Sequence, residues 1–123
     1  MSTDPETVGK AFLDYYYGLF ASNRPGLATL YQDQSLLTFE GQKFQGSSAI
    51  VAKLVQLPFQ ACRIQRTSED AQPSLSGGII LFVTGGIQTE GEQYIQKFSQ
   101  VFHLMPCNGS FIVTNDLFRL NYG

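Results

Sequence analysis

Basic residues, histidine, cysteine and long apolar runs are all scarce in this chain of 123 residues. Its 8 Lys and Arg are outnumbered by 10 Asp and Glu, leave a formal charge of -2, and are scattered rather than gathered on one stretch. A nucleic-acid binder needs a basic face to displace counterions from phosphates, so nucleic acid is not expected as a partner. With His103 as the single histidine, a multi-histidine metal site and a triad with a second histidine are both out of reach, and His103 reads as a structural strand residue. Cys62 and Cys107 lack CxxC spacing; both read as reduced, ordinary residues, and no metal or cofactor is expected. The longest clearly apolar run, Ile79 to Val83, is far below the roughly 20 residues that span a bilayer, so no membrane is expected. The opening residues carry Asp4 and Glu6 instead of a positive leader, which predicts a protein on the cytosolic side.

What is present is the composition of one globular unit, 43% hydrophobic and 15% charged, and residues 1–123 read as one domain. Thr3 and Glu6 have capping-box spacing, while Asp4 before Pro5 offers a competing cap, so a helix starts here by either route. Val8, Ala11, Phe12, Tyr15, Tyr16, Leu19 and Phe20 recur at three- and four-residue steps and predict an apolar stripe. In the run Tyr15, Tyr16 and Tyr17, the expectation is core with one tyrosine exposed. Asn23-Arg24-Pro25-Gly26 breaks the helix, and Leu27, Leu30 and Tyr31 give a second, short helical stripe. Leu36 to Glu40 reads as a strand, with a turn at Gly41-Gln42 and a return arm Lys43-Phe44-Gln45. Ser47 or Ser48 is the expected cap of a third helix through Ile50, Val51 and Leu54, which stops near Leu57 because Pro58 follows. Four long strands complete the chain: Gln60 to Ser68, Gly78 to Gln88, Gln96 to Met105 and Ser110 to Leu120. The last two meet at Asn108-Gly109, a strong hairpin signal that also outweighs the glycosylation sequon Asn108-Gly109-Ser110.

Helices early and a meander of strands late predict α+β architecture, a curved antiparallel sheet with three helices on one face. In the last strand, alternation sends Phe111, Val113 and Leu117 one way and Ile112, Phe118 and Leu120 the other. Both faces are then apolar, and so few helices cover only one of them. The uncovered face predicts a homodimer through the sheet.

The blocks Leu37-Thr38-Phe39-Glu40-Gly41-Gln42, Leu57-Pro58-Phe59-Gln60, Phe98-Ser99-Gln100-Val101-Phe102 and Asn115-Asp116-Leu117-Phe118-Arg119-Leu120 stand in the order found in the nuclear transport factor 2 family, which the chain resembles from its first helix to its end. The resemblance implies a cone-shaped fold enclosing an apolar cavity, a homodimer, and carriage of the GDP form of the small GTPase Ran into the nucleus with contacts to Phe-rich nucleoporin repeats. It implies further that Phe39 and Phe118, with Leu57 nearby, line the mouth that receives an aromatic side chain of Ran. Glu40 stands where the family sets a carboxylate against a basic residue of Ran, and the loop Glu90-Gly91-Glu92 matches a pair of family aspartates that answer a second basic residue. Phe82 and Leu117 fall where the family packs its two sheets together. The implied location is cytoplasm and nucleus, at the nuclear pore. This chain departs from the family pattern at the nucleoporin-binding aromatic, where it has Pro5 or Glu6. It departs again at Ala21 (an acid in the family), at Ile64 (often a histidine), and in a loop after Glu92 that is one residue longer.

The competing expectation is an enzyme, because cones of this shape also resemble isomerases and dehydratases. Asp116 shares strand parity with Phe118 and is the candidate acid or base. No Tyr-Asp or His-Asp constellation is evident around it in the sequence, and binding is the preferred reading.

Overall fold

The computed structural model describes residues 4–57, 62–89 and 95–121, with Thr89 described through its backbone only. Helix α1 runs Pro5–Ser22 and is capped by Asp4, whose carboxylate accepts the Thr7 N–H at 3.1 Å and the Thr7 hydroxyl at 3.0 Å. Of the two caps offered by the sequence, Asp4 with Pro5 in the first turn is therefore the one used. The buried stripe is Gly9, Leu13, Tyr16, Tyr17 and Phe20, while Ala11 and Tyr15 face solvent. The predicted stripe was thus turned slightly around the helix, and the single exposed tyrosine is Tyr15. Gly9 is where helix and sheet come closest: a Cβ there would run into the Leu81 side chain.

A 3₁₀ helix, Arg24–Leu30, follows. Tyr31 does not extend it but opens strand β1, Tyr31–Phe39, and is buried there. β2, Gln42–Gln45, returns antiparallel to β1. The turn between them is centred on Glu40-Gly41, one residue earlier than expected, and both residues have positive φ, 51° and 86°. Helix α2, Ser47–Val55, is capped by Gly46 rather than by a serine; the Ser47 hydroxyl instead donates to the Ala28 carbonyl at 2.8 Å, tying α2 to the 3₁₀ helix. The remaining strands are β3 (Cys62–Pro73), β4 (Ile79–Thr89), β5 (Gln96–Cys107) and β6 (Ser110–Leu120), with a tight 3₁₀ turn, Leu75–Gly77, between β3 and β4. Asn108 and Gly109 make the β5–β6 turn with φ of 51° and 80°, as the hairpin signal predicted.

The six strands form one sheet in the order β2-β1-β6-β5-β4-β3. It is mixed, not wholly antiparallel, because β1 runs parallel to β6, with Phe39 beside Phe118 and Thr38 beside Leu117. Curvature comes with irregular register between Arg66 and Ser68 in β3 and between His103 and Leu104 opposite β6. The helices lie on one face, where Tyr16, Phe98, Phe102, Leu81, Leu104 and Val113 are almost wholly buried. Rings pack edge-on at the centre: Phe102 is 4.8 Å from Tyr16 and 5.3 Å from Phe12.

The bulge at Thr114 corrects the alternation expected in β6. Val113 is fully buried whereas Leu117 is 49% exposed, so the two lie on opposite faces, because the extra residue resets the parity before Asn115. Beyond the bulge the expected parity holds, and Asp116 and Phe118 face the helices.

Candidate functional site

The parallel β1–β6 pairing brings the two aromatic residues of the proposed mouth side by side. The Phe39 and Phe118 rings stack with centroids 4.7 Å apart and planes within 3°, and Phe118 in turn stacks on Phe98 at 5.4 Å. Phe118 is buried at 5% exposure and Leu57, just after α2, at 8%; Phe39 is the partly exposed end of the stack. Sequence reasoning about the mouth missed Lys53. Its ammonium lies over the Phe39 ring at 5.4 Å and over Phe44 at 5.9 Å.

Glu40 sits next to this stack, half-buried in the β1–β2 turn. Its backbone N–H donates to the Phe118 carbonyl at 3.1 Å, and its side-chain Oε1 accepts the Leu120 N–H. The carboxylate thus closes the end of the parallel pair as well as presenting charge, which the sequence did not show. Glu90 and Glu92, the other acidic residues assigned by resemblance, lie outside the described residues.

Deeper on the same face is a cluster that the sequence did not reveal. Tyr31 donates its hydroxyl proton to Asp116 Oδ2 at 2.8 Å. The Tyr16 hydroxyl lies 2.9 Å from that of Tyr31 and 3.4 Å from the same carboxylate oxygen. From the other side, Tyr17 donates to Gln100 Oε1 at 2.7 Å, and Gln100 Nε2 donates to Asp116 Oδ1 at 2.8 Å. Two relays from α1 converge on one carboxylate that is 1% exposed. Burial pushes Asp116 up to about 6, opposed by the bonds from Gln100, Tyr31 and Tyr16. Burial, then the nearby Asp116 charge, raises all three tyrosines well above their ordinary value. A Tyr-Asp constellation therefore does exist, contrary to expectation. Its carboxylate oxygens are both engaged by neutral donors inside the core, which is the arrangement of a satisfied structural acid.

The opposite face of the sheet is different in kind. Across it run two rows set by register, Phe82, Val101, Leu117 and Thr38 in one and Ile80, His103, Asn115 and Leu36 in the next. Phe82, Leu117, Ile80 and Leu36 are 41–49% exposed. His103 is held there by hydrogen bonds with Ser74 (Nε2, 2.8 Å) and Thr114 (Nδ1, 2.9 Å), a structural role as expected. A groove of about 690 Å³ is lined by Glu6, Lys10 and Leu13 of α1, Asp70 of β3 and Ile80 and Phe82 of β4.

Ala21 and Ile64, two of the departures from the family pattern, line one cleft of about 390 Å³ between α1 and β3. Arg66 borders it, over the Tyr17 ring at 5.9 Å, paired with Asp14 and, at 3.2 Å, with Glu69. The Arg66 guanidinium holds the Asp14 carboxyl below its ordinary value. Cys62 and Cys107 are free, and burial raises the Cys62 thiol. Among the described residues no group of three or more His, Cys, Asp or Glu could hold a metal ion, and no helix is long and apolar enough to cross a membrane.

A family profile described as Nuclear transport factor 2 (NTF2) domain matches residues 8–120. The chain is 56% identical over 121 residues to nuclear transport factor 2B of Arabidopsis thaliana, covering 97% of this chain and 96% of that one. It is 50% identical over 121 residues to nuclear transport factor 2 of Oryza sativa subsp. japonica, covering 98% and 99%. The solved structure of nuclear transport factor 2 from Cryptosporidium parvum superimposes with a TM-score of 0.89 at 49% identity, over 94% of each chain.

Proposed function

The chain belongs to the nuclear transport factor 2 family, a family of transport carriers rather than enzymes, and from that premise we propose that it is a nuclear import carrier for the GDP form of the small GTPase Ran. The observation that carries this reading is the stack of Phe39 on Phe118 with Glu40 beside it and Leu57 buried nearby. An aromatic side chain of Ran enters against this apolar surface, and Glu40, with Glu90 and Glu92, meets the basic residues around it. Burying a ring of about 150 Å² offers roughly 4 kcal/mol gross at about 25 cal/mol per Å². Much of that is lost to association entropy. Rim carboxylates add about 0.2–1 kcal/mol each, and act chiefly on encounter rate and partner choice. The result is a grip that can be released, as a carrier requires.

The working unit in this reading is a homodimer joined through the face bearing Phe82 and Leu117, whose apolar side chains none of the described helices covers. Phe-rich nucleoporin repeats bind at the groove beside Glu6, which places the protein in cytoplasm and nucleus and at the nuclear pore. Because this chain carries Pro5 or Glu6 where the family has an aromatic, that contact is weak, and Glu6→Trp strengthens binding of a Phe-rich repeat peptide.

The test of the cargo is a titration against Ran loaded with GDP or with GTP. The GDP form binds and the GTP form does not; equal binding, or none, overturns the assignment. Glu40→Gln is the informative variant because it removes charge while keeping an acceptor for the Leu120 N–H, whereas Glu40→Lys would also open the end of the β1–β6 pair. Glu40→Gln lowers affinity for Ran-GDP about two- to fivefold, and the loss shrinks at high salt.

A further inference from the structure

Phe39, partly exposed, has two neighbours against its ring. Phe118 lies parallel to it at 4.7 Å, a gap with no room for an ammonium, so the Lys53 ammonium over the ring takes the other side. Lys53 is fixed there by its helix: it stands in the last turn of α2, where a cation is favoured, and its neighbours Ile50 and Leu54 are buried anchors. Phe44, on β2, gives the same ammonium a second ring at 5.9 Å.

We infer that Lys53 is a resident cation that occupies the face of Phe39 an incoming aromatic side chain must take, so that it sets affinity and selectivity at this mouth by being displaced. This rests on the reading of the Phe39–Phe118 mouth proposed above. A partner ring that stacks on Phe39 takes the place of the ammonium, which then moves toward Phe44 or into solvent. A ring carrying no compensating contacts displaces it only at high concentration, so Lys53 discriminates against stray apolar groups. It also opposes partner cations that Glu40 attracts, which leaves room at this point for the ring but not for a second positive charge.

Replacing Lys53 separates displacement from simple charge. Lys53→Met keeps the stem and removes the competing ammonium, and raises affinity for Ran-GDP by roughly two- to fivefold. Lys53→Arg keeps the charge but binds the ring more firmly, and lowers affinity below that of wild type. The order Met, Lys, Arg, persisting at about 0.5 M salt, is the expected result, since screening acts weakly on a contact held against rings. An Arg variant equal to wild type, or a Met gain that vanishes in high salt, shows a surface charge effect and overturns the inference. A second arm does not need Ran: the Lys53 ε-methylene resonances of the free protein are shifted upfield by the rings and return toward ordinary values as N-acetylphenylalaninamide, an uncharged ring, is added to high concentration. Unmoved Lys53 resonances overturn the inference even if Ran binds, whereas failure of wild type to bind Ran-GDP with responsive resonances overturns the cargo assignment only.

Discussion

Leu117 and Phe118 are adjacent in sequence and lie on the two faces of the same sheet. Phe118 is stacked between Phe39 and Phe98 under the chain's own helices, and Leu117 stands half-exposed in a row with Phe82. The inner face combines stacked rings with a carboxylate whose two oxygens both accept hydrogen bonds within the chain. The outer face has apolar side chains of similar size and none of the described helices above them. The contrast teaches that the same residue types build a core on one side and stand exposed on the other, and that position in the layers decides which.

The sharpest test is to truncate the two neighbours separately. Phe118→Ala removes a buried ring and lowers folding stability by about 3–5 kcal/mol, while Leu117→Ala changes that of the isolated chain by less than about 1 kcal/mol. Urea unfolding at low protein concentration measures both, and equal losses would erase the distinction between the faces. Charge on the outer face is the next largest effect. Leu117→Glu weakens self-association by about 3 kcal/mol or more, a factor of over 100, because it places an unpaired carboxylate in the sheet contact. A variant that still sediments as a dimer would place the contact elsewhere.

The inner carboxylate provides a test in pH. Asp116 sits at about 6 in the folded chain against 3.8 ordinarily, so between those values the folded state holds a proton that the unfolded state has released. The contribution favours folding below about pH 4 and is lost as pH rises through about 6, by about 3 kcal/mol in all. Asp116→Asn removes this dependence and lets the tyrosine hydroxyls rotate to its amide. Its stability relative to wild type should therefore climb by about that amount from about pH 4 to about pH 7, and a flat difference would mean that burial does not strain the carboxylate. The smallest effect belongs to Tyr17→Phe, which leaves Gln100 Oε1 without its donor and costs about 1–2 kcal/mol. Tyr15→Phe, at the exposed tyrosine beside it, should stay within about 0.5 kcal/mol.

Local chemistry was readable wherever it is decided within a few residues. The Asp4 cap, the Asn108-Gly109 hairpin and the opposed directions of Leu117 and Phe118 all follow from nearest-neighbour rules, and the structure has each of them. What the sequence hid is long-range. Tyr16, Tyr31 and Asp116 meet across separations of 85 and 100 residues, and no periodicity announces such a meeting. Tyr31 followed the helical spacing of Leu27 but became a strand residue because β6 was available to pair with it. A single bulged residue at Thr114 turned Val113 inward, and counting by twos has no means of foreseeing that. Lys53 over Phe39 and the Glu40 bond to Leu120 depend on the same distant pairing. The proposed mouth was assigned through blocks of family likeness, and the contacts around Phe39 came only from the fold.

The parallel neighbourhood of β1 and β6 also sets a timetable. β6 stands between β1 and β5 in the sheet although it is the last of the described strands to leave the ribosome. Until it emerges, the β1–β2 arm has no edge to join, and Tyr31 has no Asp116 to bond. Assembly of β1 must therefore wait for β6 and then close over a long loop, the kind of topology that folds slowly and exposes unpaired edges meanwhile.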